Sequence, residues 1–121
     1  MKLKKIETAF SVCQVNAFSE IDWNDEICFI GKTDEELSLV CSTERVPACA
    51  AAREDGWRAF RIEGVLDFSL IGILYRISEL LAKQKIGIFA VSTYNTDYIL
   101  VKEEQLDRAL KALQAGGYEI V

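Results

Sequence analysis

Two amphipathic helical periods, each bordered by strand-like runs and separated by a hairpin signal, place the C-terminal half of this chain in the α+β class. Leu70, Ile73, Leu74, Ile77, Leu80 and Leu81 recur on one helical face, and Arg76, Glu79 and Lys83 fall on the other. Leu106, Ala109, Leu110 and Leu113 repeat that period further along, and Asn95-Thr96 between them marks a tight turn. The resulting order is βαββαβ, the split βαβ or ferredoxin-like plan, with two helices on one face of a four-stranded antiparallel sheet.

The elements follow from local signals. Alternation at Phe10, Val12 and, after a slip, Val15 predicts a strand over Ala9–Val15. Asn16–Asp25 is a polar connection holding Trp23, Glu26–Lys32 a second strand, Thr33–Glu36 a turn and Leu37–Cys41 a third strand. The Ala-rich run Ala48–Arg53, preceded by Ser42 and Pro47, predicts a short helix, and Asp55-Gly56 ends the half. Strand Trp57–Glu63 then leads through the turn Gly64–Gly72 into a helix over Leu70–Lys85, with Ser69 as N-cap and Lys83 and Lys85 suiting its negative end. Strands Ile86–Tyr94 and Asp97–Lys102, a helix Glu103–Ala115 closed by Gly116-Gly117, and a last strand Tyr118–Val121 complete the chain.

The first half reads as a worn copy of the second. At an offset of 50, Phe10 matches Phe60, Val15 matches Val65, Phe18-Ser19 matches Phe68-Ser69 and Ile21 matches Ile71. Around the hairpin the offset is 61, pairing Ile27 with Ile88, Ile30 with Val91 and Leu39-Val40 with Leu100-Val101. The offsets differ by about three helical turns, so the first copy is expected to lack most of its first helix. The boundaries expected are 1–55 for the degenerate unit and 56–121 for the complete one.

Composition removes several function classes. With 121 residues, two halves this small should depend on one another for a core. A net charge of −5 with lysines clustered only at Lys2, Lys4 and Lys5 disfavours nucleic acid. Glu7, Ser11, Gln14 and Asn16 break any apolar run behind those lysines, so neither a signal segment nor a membrane span is expected, and the location expected is cytoplasmic. Cys13, Cys28, Cys41 and Cys49 are spread singly, which reads as buried reduced thiols. Without histidine, and without paired cysteines, no metal or cofactor site is expected. The same lack of histidine leaves a cysteine nucleophile with no base to activate it, so no enzyme is expected.

The stretch Phe68–Leu74 and the run Ile86–Glu104, with its Val91-Ser92-Thr93-Tyr94-Asn95-Thr96-Asp97-Tyr98-Ile99-Leu100-Val101-Lys102-Glu103 core, closely resembles the ACT domain. It is similar in particular to small bacterial tandem ACT proteins related to aspartate kinase regulatory domains and to cytosolic arginine sensors. Glu36–Cys41 with Val46-Pro47 resembles the degenerate first unit of those proteins. The resemblance implies a regulatory, ligand-sensing protein without catalysis, acting through a tandem interface. It further implies a homodimer, a free amino acid or similar small zwitterion as ligand, and a target enzyme regulated in trans. The alternative is a ligand-free interaction or dimerisation module.

Carried over position by position, the implied ligand site is the turn Leu66, Asp67, Phe68, Ser69, Leu70, Ile71 and Gly72 together with Val91, Ser92, Thr93 and Asp97. The chemistry fits, because a zwitterion needs N–H donors for its carboxylate and an acid for its ammonium. The start of a helix supplies unpaired N–H groups, here expected at Leu70, Ile71 and Gly72, and Asp67 or Asp97 supplies the acid. Asp67 equally suits a helix cap and Asp97 a turn. Ser92 and Thr93 alternate along a strand, so one of them is expected to face the site. Tyr94 and Tyr98 could line a pocket or fill the core, Tyr75 reads as core, and Trp23 and Trp57 as packing anchors.

Overall fold

The computed structural model describes residues 1–121 and divides the chain into two compact units, one of Met1–Glu7 with Arg58–Val121 and one of Thr8–Trp57. Its strands are β1 (Lys2–Gln14), β2 (Phe29–Lys32), β3 (Leu37–Ser42), β4 (Ala52–Ile62), β5 (Phe89–Ser92), β6 (Asp97–Lys102) and β7 (Glu119–Ile120). Helix α1 spans Ile73–Lys83 and α2 spans Leu106–Ala115.

In the unit of Met1–Glu7 and Arg58–Val121 the strand order is β7-β1-β4-β6-β5. β5 and β6 pair antiparallel, while β7 runs parallel to β1, Lys2 facing Glu119 and Leu3 facing Ile120. The expected four-stranded sheet therefore gains a fifth strand, because Lys2–Glu7 separates the last strand from β4. The N–H of Glu63 donates to the Lys2 carbonyl (2.9 Å), and that of Val121 to the Leu3 carbonyl (2.8 Å). Leu3 is the apolar reward for this insertion, fully buried with Phe60 and Ile62 of β4, Ile99 and Val101 of β6, Ile77 and Leu81 of α1, and Ala109 and Leu113 of α2. From Ile73 onward the helical faces read from the periods are thus the ones turned to the core, whereas Leu70 lies outside it. The antiparallel hairpin and the two helices make this an α+β fold of the ferredoxin-like kind.

The unit of Thr8–Trp57 has the order β2-β3-β1-β4 and a small core of Cys13, Val15, Ile21, Leu39 and Cys41. It contains no α-helix, only the 3-10 turns Phe18–Glu20 and Thr43–Arg45. The short helix expected over Ala48–Arg53 is absent. An isolated helix that short cannot repay its nucleation, and the segment pairs instead, the Ala51 N–H donating to the Gln14 carbonyl (2.9 Å). Gly56 sits inside β4 at φ +87°, and the unit of Thr8–Trp57 ends at the next residue. Trp23, expected to anchor packing, is 64% exposed.

The two hairpins pair in the same register at a spacing of 60 residues. Phe29 faces Val40 and Lys32 faces Leu37 in the first; Phe89 faces Leu100 and Ser92 faces Asp97 in the second. Each turn closes the same way, the Thr33 N–H on the Glu36 carbonyl and the Thr93 N–H on the Thr96 carbonyl, both at 2.9 Å. Side chains alternate along a strand, so a shift of one residue swaps every face. At that spacing Leu39 and Cys41 correspond to Ile99 and Val101, each pair in the core of its own unit.

Two polar clusters hold the helix-poor unit together. Buried Asp25 accepts from the Ser42 N–H (2.8 Å) and hydroxyl (2.7 Å), fixing the start of the second 3-10 turn. Ser11, fully buried, donates to Asp55 (2.6 Å) and meets the Thr43 hydroxyl (2.9 Å). Replacing Asp25 by Ala leaves two buried Ser42 donors without an acceptor, so the variant is expected to lose about 1–3 kcal/mol in urea unfolding monitored by circular dichroism.

Candidate functional site

A cavity of about 390 Å³ opens where β4's connection to α1 passes the tip of the β5–β6 hairpin. Leu66, Asp67, Phe68, Leu70, Gly72, Ser92, Thr93 and Asp97 line it, joined by Ile73, Leu74, Tyr75, Tyr94, Asn95 and Thr96. Eight of the eleven site residues expected from the sequence are therefore brought together. Ser69, Ile71 and Val91 are not among the lining residues; Ile71 points to solvent at 93% exposure, and Val91 sits within β5 with alternation turning it away from Ser92.

Local chemistry explains the shape of the loop. Asp67 does not cap the helix. Its carboxylate accepts the Ser69 N–H (2.8 Å) and its carbonyl the Leu70 N–H (3.1 Å), a self-contained Asx turn. That bond from Ser69 holds the Asp67 carboxyl below its ordinary range, so it is charged at neutral pH. The Leu66 N–H then ties the loop to the hairpin tip through the Asn95 carbonyl at 2.7 Å.

Helix α1 begins later than the sequence suggests. The N-cap is Gly72 in the left-handed region (φ +81°), and Ser69 plays no capping part. The apolar period runs backward through Leu70, but Leu70 is half exposed and already committed to the Asx turn. The first helical bond is from the Arg76 N–H to the Gly72 carbonyl (3.0 Å), so the first turn leaves the N–H groups of Ile73, Leu74 and Tyr75 without helical partners; of the donors expected earlier, the Leu70 N–H is taken up by the Asp67 carbonyl. Arg76 pins this first turn to the end of α2, donating to the Gly116 carbonyl at 2.7 Å.

Across the cavity, Asp97 accepts the Ser92 hydroxyl at 2.6 Å. Ser92 and Thr93 both line the wall, because β5 stops at Ser92 and Thr93 belongs to the turn, where strand alternation no longer applies. The Thr93 hydroxyl donates to the Thr96 carbonyl (2.9 Å), and Thr96 is anchored to the Ile62 carbonyl (2.7 Å). Aromatic rings form the lip: Phe68 and Tyr94 meet edge to face with centroids 5.2 Å apart. Tyr75, expected in the core, is 68% exposed and donates to Glu79. No residue pattern signals this, since Tyr75 adjoins the apolar stripe without belonging to it.

The cysteines lie elsewhere, and none carries a lowered pKa. Burial pushes Cys13 and Cys28 up and Cys41 up to about 12, while exposed Cys49 is raised by its bond to the Glu20 carboxylate. All four are free thiols, although Cys49 is not buried as expected.

The chain as a whole is similar to solved structures. A crystal structure of an Agrobacterium tumefaciens protein is 29% identical, with a TM-score of 0.85 over 99% of this chain and 91% of that one. A Vibrio cholerae protein described as a possible transport protein is 20% identical, with a TM-score of 0.74 over 93% and 86% of the two chains. The ligand-free regulatory subunit of aspartate kinase from Thermus thermophilus shares the fold at 8% identity, with a TM-score of 0.65 over 95% and 96%. A family model for the ACT domain matches residues 52–115, which span β4, α1, the β5–β6 hairpin and α2. The chain belongs to the ACT domain family.

Proposed function

We propose that this protein is a regulatory sensor that takes a free amino acid, or a similar small zwitterion, in the cavity at the start of α1. One observation carries the reading: unpaired helix N–H groups and two carboxylates, Asp67 and Asp97, share the walls of one cavity. The N–H groups of Ile73–Tyr75 receive the ligand carboxylate, favoured by the helix dipole. Asp67 or Asp97 receives the ammonium. The first-unit hairpin, superposable in register on the second, supports a tandem arrangement in which the earlier unit is a worn copy.

Val65, Phe68, Ile71, Tyr75 and Tyr94 leave a large apolar rim in water, between 68% and 93% exposed. Rims of that kind mark association surfaces, and a second copy of the chain covering it would make the homodimer. With no catalytic constellation invoked, the output is regulation of a partner enzyme in trans, in the cytoplasm. The same rim favours a second reading, a docking module that needs no ligand.

Isothermal titration of the folded protein with each of the twenty amino acids separates the two. Saturable binding by at least one, at about one ligand per chain, is expected. Silence from all twenty rejects the sensor in favour of the docking module.

A further inference from the structure

Three cysteines that are scattered in sequence share one face of the sheet in the unit of Thr8–Trp57. Cys13 on β1, Cys41 on β3 and Cys28, the residue just before β2, all belong to or pack against that unit's core. The strand registers fix their spacing. β2 and β3 match Phe29 with Val40 and Ile30 with Leu39, so the next step along the ladder sets Cys28 opposite Cys41. The bond from the Thr33 N–H to the Glu36 carbonyl makes that pair a hydrogen-bonded position of the ladder. Such positions alternate with unbonded ones, and counting back along the register puts Cys28 and Cys41 on an unbonded one. Residues opposite each other there have Cα atoms about 4.5 Å apart and side chains drawn together, within the span of a disulfide. Cys13 faces Leu39 and is only diagonal to Cys41. Diagonal Cα atoms stand about 7–8 Å apart, beyond that span.

We propose that Cys28 and Cys41 are a modification site, a dithiol that a small-molecule disulfide converts into a cross-strand disulfide. Cys28 is half-buried and is the entry thiol, whereas Cys41 is buried. The Cys28 thiolate attacks one sulfur of the oxidant, releasing one thiolate and leaving a mixed disulfide. The Cys41 thiolate then attacks the Cys28 sulfur, forming the new S–S bond and releasing the second thiolate. The protons lost by Cys28 and Cys41 end on the two released thiolates, so one disulfide is exchanged for another with no further reactant. Burial, then Asp25 and Asp22, push the Cys28 thiol up, and burial pushes Cys41 up to about 12, so thiolate is scarce and exchange is slow. The product ties β2 to β3 in a unit that has no α-helix to brace it.

The test incubates the reduced, folded protein with excess oxidised glutathione at mildly alkaline pH, alkylates the remaining thiols with iodoacetamide and maps the digest by mass spectrometry. A peptide joining Cys28 to Cys41 is expected, and the oxidised protein is expected to melt several degrees above the reduced one in a thermal-shift assay, as closing a loop in the unfolded chain predicts. Cys28→Ala, at a half-buried position, is expected to lose both the link and the shift, while Cys13→Ala keeps both. Cys41→Ala, once shown to melt cooperatively, is expected to retain glutathione on Cys28 as the trapped mixed disulfide. No link after prolonged incubation, or a link from Cys13 to Cys41, overturns the proposal. So does a Cys28–Cys41 link that leaves the melting temperature unchanged or lower, since the folded register would then not accommodate the bond. None of these outcomes bears on the reading of the cavity at α1.

Discussion

A fragment of residues 56–121 will fail to fold on its own, even though it holds the whole βαββαβ pattern and nearly all of the family match. Its circular dichroism will show no cooperative melt, and its amide spectrum will lack dispersion. The reason is Lys2–Glu7, which lies between β4 and β7, so its removal strips partners from both strands and takes Leu3 out of the centre of the core. In the full chain, Leu3→Ala is expected to cost about 2–5 kcal/mol, the range for truncating a fully buried leucine. A fragment that melts cooperatively, together with a Leu3→Ala variant as stable as the parent, contradicts this account of the unit.

Gly72→Ala should abolish ligand response at a modest cost in stability. A Cβ there would meet no atom within 4 Å, so the penalty is conformational: an L-residue at φ +81°. That costs about 1–2 kcal/mol, and relief of the strain rotates the first turn of α1, redirecting the N–H groups of Ile73–Tyr75. Gly56→Ala is the matched control, with φ +87°, equally open space, and a place in the unit of Thr8–Trp57. Both variants should melt earlier in a thermal-shift assay, while only Gly72→Ala loses affinity, by tenfold or more. Equal binding by the two variants would detach the helix start from the site.

Much of this molecule can be read locally. Asp97–Lys102 is a strand within the bounds its alternation sets, and Ile77, Leu81, Ala109 and Leu113 are buried as their period dictates. The turn and hairpin tip that form the cavity were also legible, because their residue types favour bends and helix starts. What escaped is non-local. Lys2-Leu3-Lys4-Lys5-Ile6-Glu7 looks like a charged tail, and it is a strand through its pairing with β4 and with β7, the latter more than a hundred residues away in sequence. Ala48–Arg53 has helical composition, but the segment is drawn into extended structure by β1, as tertiary pairing commonly overrides a weak propensity. The start of α1 was misplaced for a different reason: Leu70 and Ile71 continue the apolar period, whereas the Asx turn at Asp67 and the left-handed Gly72 delay the helix. Residue types pair Leu39-Val40 with Leu100-Val101, whereas strand pairing sets Leu39 and Val40 at the hairpin positions of Ile99 and Leu100.

The most direct measurement is a two-dimensional amide NMR titration with whichever amino acid binds in calorimetry. If α1's start is the receptor, the largest shifts fall on Gly72, Ile73, Leu74 and Tyr75 and on Ser92 to Asp97, with the Thr8–Trp57 unit little changed. Shifts centred on that other unit, or none near Gly72 at saturation, would contradict the assignment of the site.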